Sequence, residues 1–428
     1  MDAVSARHGG QRDHFIPVRK SDILDALVMQ GPMAKASGGE KLRQLFRMLG
    51  AVFHYEYFDA LERLRERYFY FDPEHDGHLR FDGATLEAAY RELLDSFEAV
   101  LRGANFREVS AEEIERAHRE HGIVRINIHI PLEDYRDVRF YSRGHRRENV
   151  EIIEWYGWRR REIEAEIYDD VVLLVSLKNE NGRKPDERPR SGAGPRKVRP
   201  GAVLIKYFRR IVAADLNALF PDVKVVMGLR DKLILGVPAL LGGIPILIKL
   251  ASTVTVLFLV AGFYLGITSA VREDEMTAAL AALSGLVALG GFVLRQWMKF
   301  QRQSLLYHKQ IVDNIYFRNV NNNAGIFDYI IGAAEEQETK EAFLAYGFLL
   351  EAEGGCSEDE LDDRIERWLH QTFGVSVDFE SSDALGKLDR LGLLQRAGDR
   401  YSAVPLDEAL SRLDRKWDDY FQYAAVRG

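Results

Sequence analysis

The chain has 428 residues, with 58 Lys+Arg against 66 Asp+Glu and a net charge of -8. That length allows two or three domains, and that balance gives no bulk electrostatic drive toward nucleic acid. A single cysteine, Cys356, excludes an intrachain disulfide and fits a reducing compartment. The opening "MDAVSARHGGQRDHFIPVRKSDI" has no apolar run, so it is no secretory signal, and Asp2 and Asp13 argue against a transit peptide.

Residues 13–120 read as helical. Ser21–Gln30, Glu40–Tyr70 and Gly83–Leu101 place apolar residues at helical spacing. The link "FDPEHDGHLRFDG" imitates a calcium loop, with Asp72, Glu74, Asp76 and Gly77 in suitable places. Its twelfth position is Gly83 where a bidentate Glu is needed, so a polar, capping turn is the better reading. His118 and His121 form H-x-x-H without a marked third ligand, and read as a surface pair.

From 121 to 228 the period becomes two. "VRINIHI", "VRFYSR", "REIEAEIYDDVVLLVSL", "AVLIKYF" and "VKVVM" predict strands of a β-rich α+β domain. Residues 178–201 interrupt it with eight basic and three acidic residues among Pro and Gly, which predicts a mobile loop of net +5.

Residues 229–300 predict a membrane region. The runs 250–271 and 276–294 hold 22 and 19 uncharged residues, long enough to span a bilayer. "REDE" (Arg272–Glu275) joins them as a hairpin, and the flanking Arg230, Lys232, Arg295, Lys299 and Arg302 place both ends on the cytoplasmic side. Segment 233–248 is broken by Gly236, Pro238, Gly242, Gly243 and Pro245, so it reads as interfacial or re-entrant. Lys249 then snorkels to headgroups, or lines a pore. Ala281, Gly285 and Ala288 form a small-residue stripe for packing within the hairpin or between copies.

Residues 301–334 predict an amphipathic helix and then an Asn-rich turn, "FRNVNNNAG", whose asparagines cap helices or hold a polar ligand. Residues 335–428 predict an acidic winged-helix-like domain, including a capping box of Ser357 and Glu360. Its 11 Lys+Arg against 22 Asp+Glu give a net of -11. Nucleic acid is therefore an unfavourable partner and a protein contact, or self-association, a favourable one, although Lys387 and Arg390 leave room for a local basic patch.

"FIPVRKSDILDAL", "YFYFDPEHD", "YFRRIVAADLNALFPDVKVVMGLRDKLILGVPALLGGIP", "YFRNVNNNAG" and "EEQETKEAFLAY" resemble the uncharacterised transmembrane protein 143 family across nearly the whole chain. The resemblance implies two spans, a cytoplasmic or matrix-facing bulk and no assigned catalytic activity. It marks Tyr316, Phe317, Arg318, Asn319, Asn322, Asn323 and Gly325 as motif positions of unknown role.

These readings predict an α+β membrane protein. It has a two-span helical hairpin, a cytoplasmic helical and β-rich region and a C-terminal winged-helix-like domain. Both termini are cytoplasmic at a cell inner membrane, or at the mitochondrial inner membrane in a eukaryote. No catalytic, cofactor or metal motif rises above background, and Cys356 has no general base matched to it. The leading function is a non-enzymatic, oligomeric scaffold or adaptor in contact with the bilayer and with a protein partner. An ion channel or small transporter with 233–248 near its pore, and an interfacial lipid-acting enzyme, are the alternatives.

Overall fold

In a computed structural model of the chain, the structure describes residues 13–29, 39–75, 83–119, 127–129, 132–154, 159–178, 198–221, 224–226 and 316–420, with isolated positions between 261 and 305. The chain divides into two compact units, one of 1–123, 132–216 and 318–428, the other of 124–131 and 217–317.

The first unit begins with α1 (Lys20–Met29), α2 (Gly39–Tyr68) and α3 (Gly83–Gly103). After β1 (Arg107–Glu108) and α4 (Ala111–Arg119) come the long strands β3 (Tyr135–Glu154) and β4 (Arg159–Leu177) and then β5 (Val203–Val212). β7 (Asn319–Asn322) leads into α5 (Ile326–Glu351), followed by α6 (Glu358–Phe373), α7 (Ser381–Arg390), the hairpin β8 (Leu394–Ala397) and β9 (Arg400–Ala403), and α8 (Leu406–Asp419). The capping box of Ser357 and Glu360 forms at the start of α6, and Gly374 closes that helix at φ 69°.

The sheet order is β1-β3-β4-β5-β7, all antiparallel. β4 is central because Val171–Val175 is a continuous β-branched and leucine run, and all five residues are buried. β5 stops at Val212 opposite Ile167, so β3 and β4 run on together as a two-stranded ribbon. The edge strands β1 and β7 have only two and four residues, which limits the open edge a sheet presents. In the second unit, β2 (Asn127–His129) pairs antiparallel with β6 (Lys224–Val226).

Two cores share two helices. One core joins the sheet face (Tyr141, Val172, Leu174, Val203, Ile205, Tyr207) to α3, the C-terminal end of α2 and the N-terminal third of α5. The other joins α1, the N-terminal half of α2 and Ala342–Leu349 of α5 to α6, α7 and α8. Phe46 meets Phe343 at one end of the α2–α5 pair and Tyr68 meets Phe327 at the other, so the two helices run antiparallel as a spine.

Among the described residues, no helix is long and apolar enough to cross a membrane. That finding overturns the expected membrane class, its transmembrane hairpin and the inner-membrane location drawn from it. The described fold is α+β on a five-stranded antiparallel sheet. The long helices that the structure describes are too charged to span. α2 carries Glu40, Lys41, Arg43 and Arg47 in its first third, and α5 carries Glu335–Glu341 in its middle, so each buries its apolar side chains against protein. Segment 233–248, Lys249 and most of the runs 250–271 and 276–294 lie outside the described residues.

Candidate functional site

Between the two cores, α5 carries five polar residues in succession: Gln337, Glu338, Thr339, Lys340 and Glu341, each at most 8 % exposed. Buried polar groups require partners, and buried charges require paired ones. The partners come from residues far away in the sequence, and they converge on the N-terminal segment 13–18.

That segment is held by its backbone. The Ile16 N–H donates to Gln337 Oε1 (3.1 Å), while Gln337 Nε2 (3.3 Å) and Lys340 Nζ (3.1 Å) donate to the Ile16 carbonyl. The carboxamide of Gln337 thus pairs with the backbone as a second peptide unit would. Asn105 sits just beyond α3 at φ 59°, a conformation that asparagine tolerates. Its Nδ2 donates to the His14 carbonyl (3.0 Å) and to Glu341 Oε1 (2.7 Å). The Asp13 carbonyl accepts from the Asp378 N–H at 3.1 Å. The Asp13 carboxylate accepts from the N–H groups of Gly144 (2.6 Å) and His145 (3.1 Å) on β3.

Gly144 makes that seat. Its φ is 72°, and a Cβ there would lie 2.5 Å from the Cβ of Asp169. Next to it, Arg143 forms a buried ion pair with Asp170, with Nε at 2.8 Å and Nη2 at 2.7 Å from Oδ2, and Nη1 donates to the Ala104 carbonyl at 2.9 Å. The guanidinium also faces the rings of Phe15 (4.4 Å) and Phe106 (4.6 Å), a geometry of mutual attraction.

On the other side of α5 lies a lysine hub. Lys387 Nζ on α7 meets Glu338 Oε2 (3.0 Å), Asp383 Oδ2 (2.6 Å) and the carboxylate of Glu341. Tyr57 of α2 donates to Glu338 Oε1 at 3.2 Å. Burial works against the charge on Lys387, but Glu341, Glu338 and Asp383 outweigh it and hold the ammonium well above the ordinary lysine value. Burial pushes the Glu338 carboxyl up against the pull of Lys387, and burial beside Glu338 pushes the Tyr57 phenol far above its usual value. Burial lowers Lys340, with Glu336 opposing it. An ammonium gripped by three carboxylates neither attacks nor accepts a proton near neutral pH. The arrangement clamps elements together.

Lys387 and Arg390 do not form a basic patch. Lys387 is buried in the hub, and Arg390 Nη1 bonds Glu56 Oε2 of α2 at 2.6 Å. Pro238, Gly242, Gly243, Pro245 and Lys249 lie outside the described residues, as do Ala281, Gly285, Ala288 and His121. The Asn-rich turn is described and binds inward. Asn319 Nδ2 donates to Asn322 Oδ1, Asn321 Nδ2 to the Gly325 carbonyl, and Asn323 Oδ1 accepts from the Ile205 N–H while its Nδ2 reaches Glu74. Asn323 takes φ 53°, and Gly325 leaves the space that Asn321 fills. Arg318 donates to the Arg210 carbonyl. These residues fix β7 to β5 and start α5. Tyr316 and Phe317, by contrast, are exposed. Cys356 is buried beneath Tyr401, and burial pushes its thiol up, away from reactivity.

Sequence reasoning did not gather Asp13, Asn105, Arg143, Asp170, Gln337 and Lys340 into one place. The available signal was the run "EEQETKE" inside an otherwise apolar helix, which a solvent-facing reading absorbs without conflict. No solved structure matches the chain. A domain described as a protein of unknown function, DUF3754, is found at residues 168–325, from Tyr168 on β4 through β5 and the Asn-rich turn to Gly325 at the start of α5.

Proposed function

We propose that the chain is a non-enzymatic scaffold or adaptor whose acidic C-terminal region, 335–428, takes a basic protein surface. The observation that carries this reading is the excess of carboxylates in that region, 22 Asp+Glu against 11 Lys+Arg. Several of the cations are taken up by the chain itself: Lys340 and Lys387 at the junction, Arg390 by Glu56, Arg400 by the Gly354 and Gly355 carbonyls, Arg412 by the Gly392 carbonyl, and Arg364 over Phe348, while Arg367, Arg396 and Arg415 are exposed. Exposed carboxylates include Asp359 and Asp363 on α6 and Asp414 and Asp418 on α8. Surface potential of one sign steers and selects partners of the other. The saturation of the junction by its own bonds supports a holding role over a chemical one. A second copy of the chain is an alternative partner, since its insert 178–201 carries net +5. Kinship with the transmembrane protein 143 family is part of the same proposal. It rests on the resemblance of "FIPVRKSDILDAL", "YFRNVNNNAG" and "EEQETKEAFLAY" in the sequence.

The test compares the full chain with a variant carrying Asp359→Lys, Asp363→Lys, Asp414→Lys and Asp418→Lys. Native crosslinking and sedimentation at about 50 mM and about 500 mM salt bracket the screening of exposed charges. The wild type is expected to form a complex that salt and charge reversal both dissolve. Association that is indifferent to both, or turnover of a small molecule by the purified chain, overturns the reading.

A further inference from the structure

The N-terminal segment touches the C-terminal region through one titratable side chain, His14. Its ring lies between residues 378 and 380, just before α7. Nδ1 faces the Asp378 carbonyl at 2.8 Å and Asp378 Oδ2 at 3.8 Å, and Nε2 faces Glu380 Oε1 at 3.5 Å. Both ring nitrogens therefore look at oxygen. An imidazolium satisfies both, because each nitrogen carries a proton. A neutral imidazole carries one proton, so its second nitrogen presents a lone pair to an acceptor.

The charged groups around the ring share one sign. Asp13 stands on its own segment, and Asp378 and Glu380 stand on the stretch before α7. The end of α3 contributes the uncharged Asn105, with Glu341 of α5 bonded behind it. Half-burial disfavours the charged ring, but the Asp378 carbonyl and the Glu380, Asp378 and Asp13 carboxylates outweigh it and raise His14 above its ordinary 6.5.

We propose that His14 is a pH-gated clasp: protonated, it fastens segment 13–18 to residues 378–380, and neutral, it loosens that attachment. The sign follows from linkage. A group whose docked pKa is raised contributes stability that is complete below its undocked value and is lost as pH rises through the docked one. The segment is therefore held more firmly on the acid side of neutrality than on the alkaline side. Gln337, which does not titrate, keeps hold of Ile16 across that range, so the clasp modulates docking and does not alone decide it.

Hydrogen exchange on the full chain tests this, with rates corrected for the intrinsic effect of pH. The informative amides are Ile16, bonded to Gln337, and Asp378, bonded to the Asp13 carbonyl. Each unit of pKa difference allows a tenfold change. Protection at both amides should fall about three- to tenfold between about pH 6 and about pH 8.5, while Phe343 and Leu344 of the core stay unchanged. His14→Gln keeps a donor for the Asp378 carbonyl but does not titrate, and should flatten the profile. Glu380→Gln removes the carboxylate facing Nε2 and should narrow the fall. Wild-type protection that is flat or rises with pH overturns the clasp, as does a fall that survives in both variants.

Discussion

At the scale of single residues, the decisive side chain is Lys387. Its side chain is 7 % exposed and it answers two carboxylates on α5 that are nearly as hidden. Taking such charges out of water costs several kcal/mol per ion, and mutual attraction offsets this only while every partner is present. Lys387→Met keeps much of the volume and removes the charge, leaving Glu338 and Glu341 facing one another. The expected loss is about 3–5 kcal/mol of unfolding free energy, measured by urea denaturation. A loss under about 1 kcal/mol would mean that the hub behaves as a surface ion pair. Replacing Lys387, Glu338 and Glu341 together by apolar residues of similar size should recover much of the loss, because no buried charge is then left alone.

At the scale of elements, the segment 13–18 is a loop pinned by side chains instead of by a sheet or helix. Its backbone partners are the side chains of Gln337, Asn105 and Lys340 and the N–H of Asp378, and its one fully buried side chain is Ile16, at 0 % exposure in the helical core. Ile16→Ala should cost about 2–5 kcal/mol and expose 13–29 to proteolysis before the rest of the first unit. Equal resistance in the variant would show that the polar contacts suffice. Legibility in the sequence divides along the same line. The helices α1 to α3 and the strands were legible because apolar periodicity is local: Glu40–Tyr70 was expected and Gly39–Tyr68 is found. The docked segment was not, because "DHFIPV" has no period, and its partners lie 91 to 365 residues away. The hub was illegible for a similar reason. A run such as "EEQETKE" looks the same whether it faces water or a lysine supplied by another helix. The expected hairpin at 250–271 and 276–294 shows the opposite error: it rested on the length of two apolar runs alone, and among the described residues no helix is long and apolar enough to cross a membrane.

At the scale of the whole first unit, α5 belongs to both cores. Ile326–Ala334 serves the sheet core and Ala342–Leu349 the helical core, with the polar belt between. Each core loses part of its lining once that helix frays, which couples the two. Amides of Val172–Leu174 in the sheet and of Ile365–Leu369 in α6 should therefore open with the same free energy in denaturant-dependent hydrogen exchange. Two separate opening energies would show instead that the cores are independent folding units. If they are joined, distance becomes a poor guide to damage. A lesion at Leu344 would be felt at Tyr68, whose hydroxyl ties the end of α2 to the Val203 carbonyl of β5. The polar belt then works as a register mark. A one-residue slip of α5 would turn Gln337, Lys340 and Glu341 by about 100° away from Ile16, Asn105 and Lys387. An all-apolar helix could slide between two greasy cores with little to oppose it; this one has a single position at which its charges find their partners.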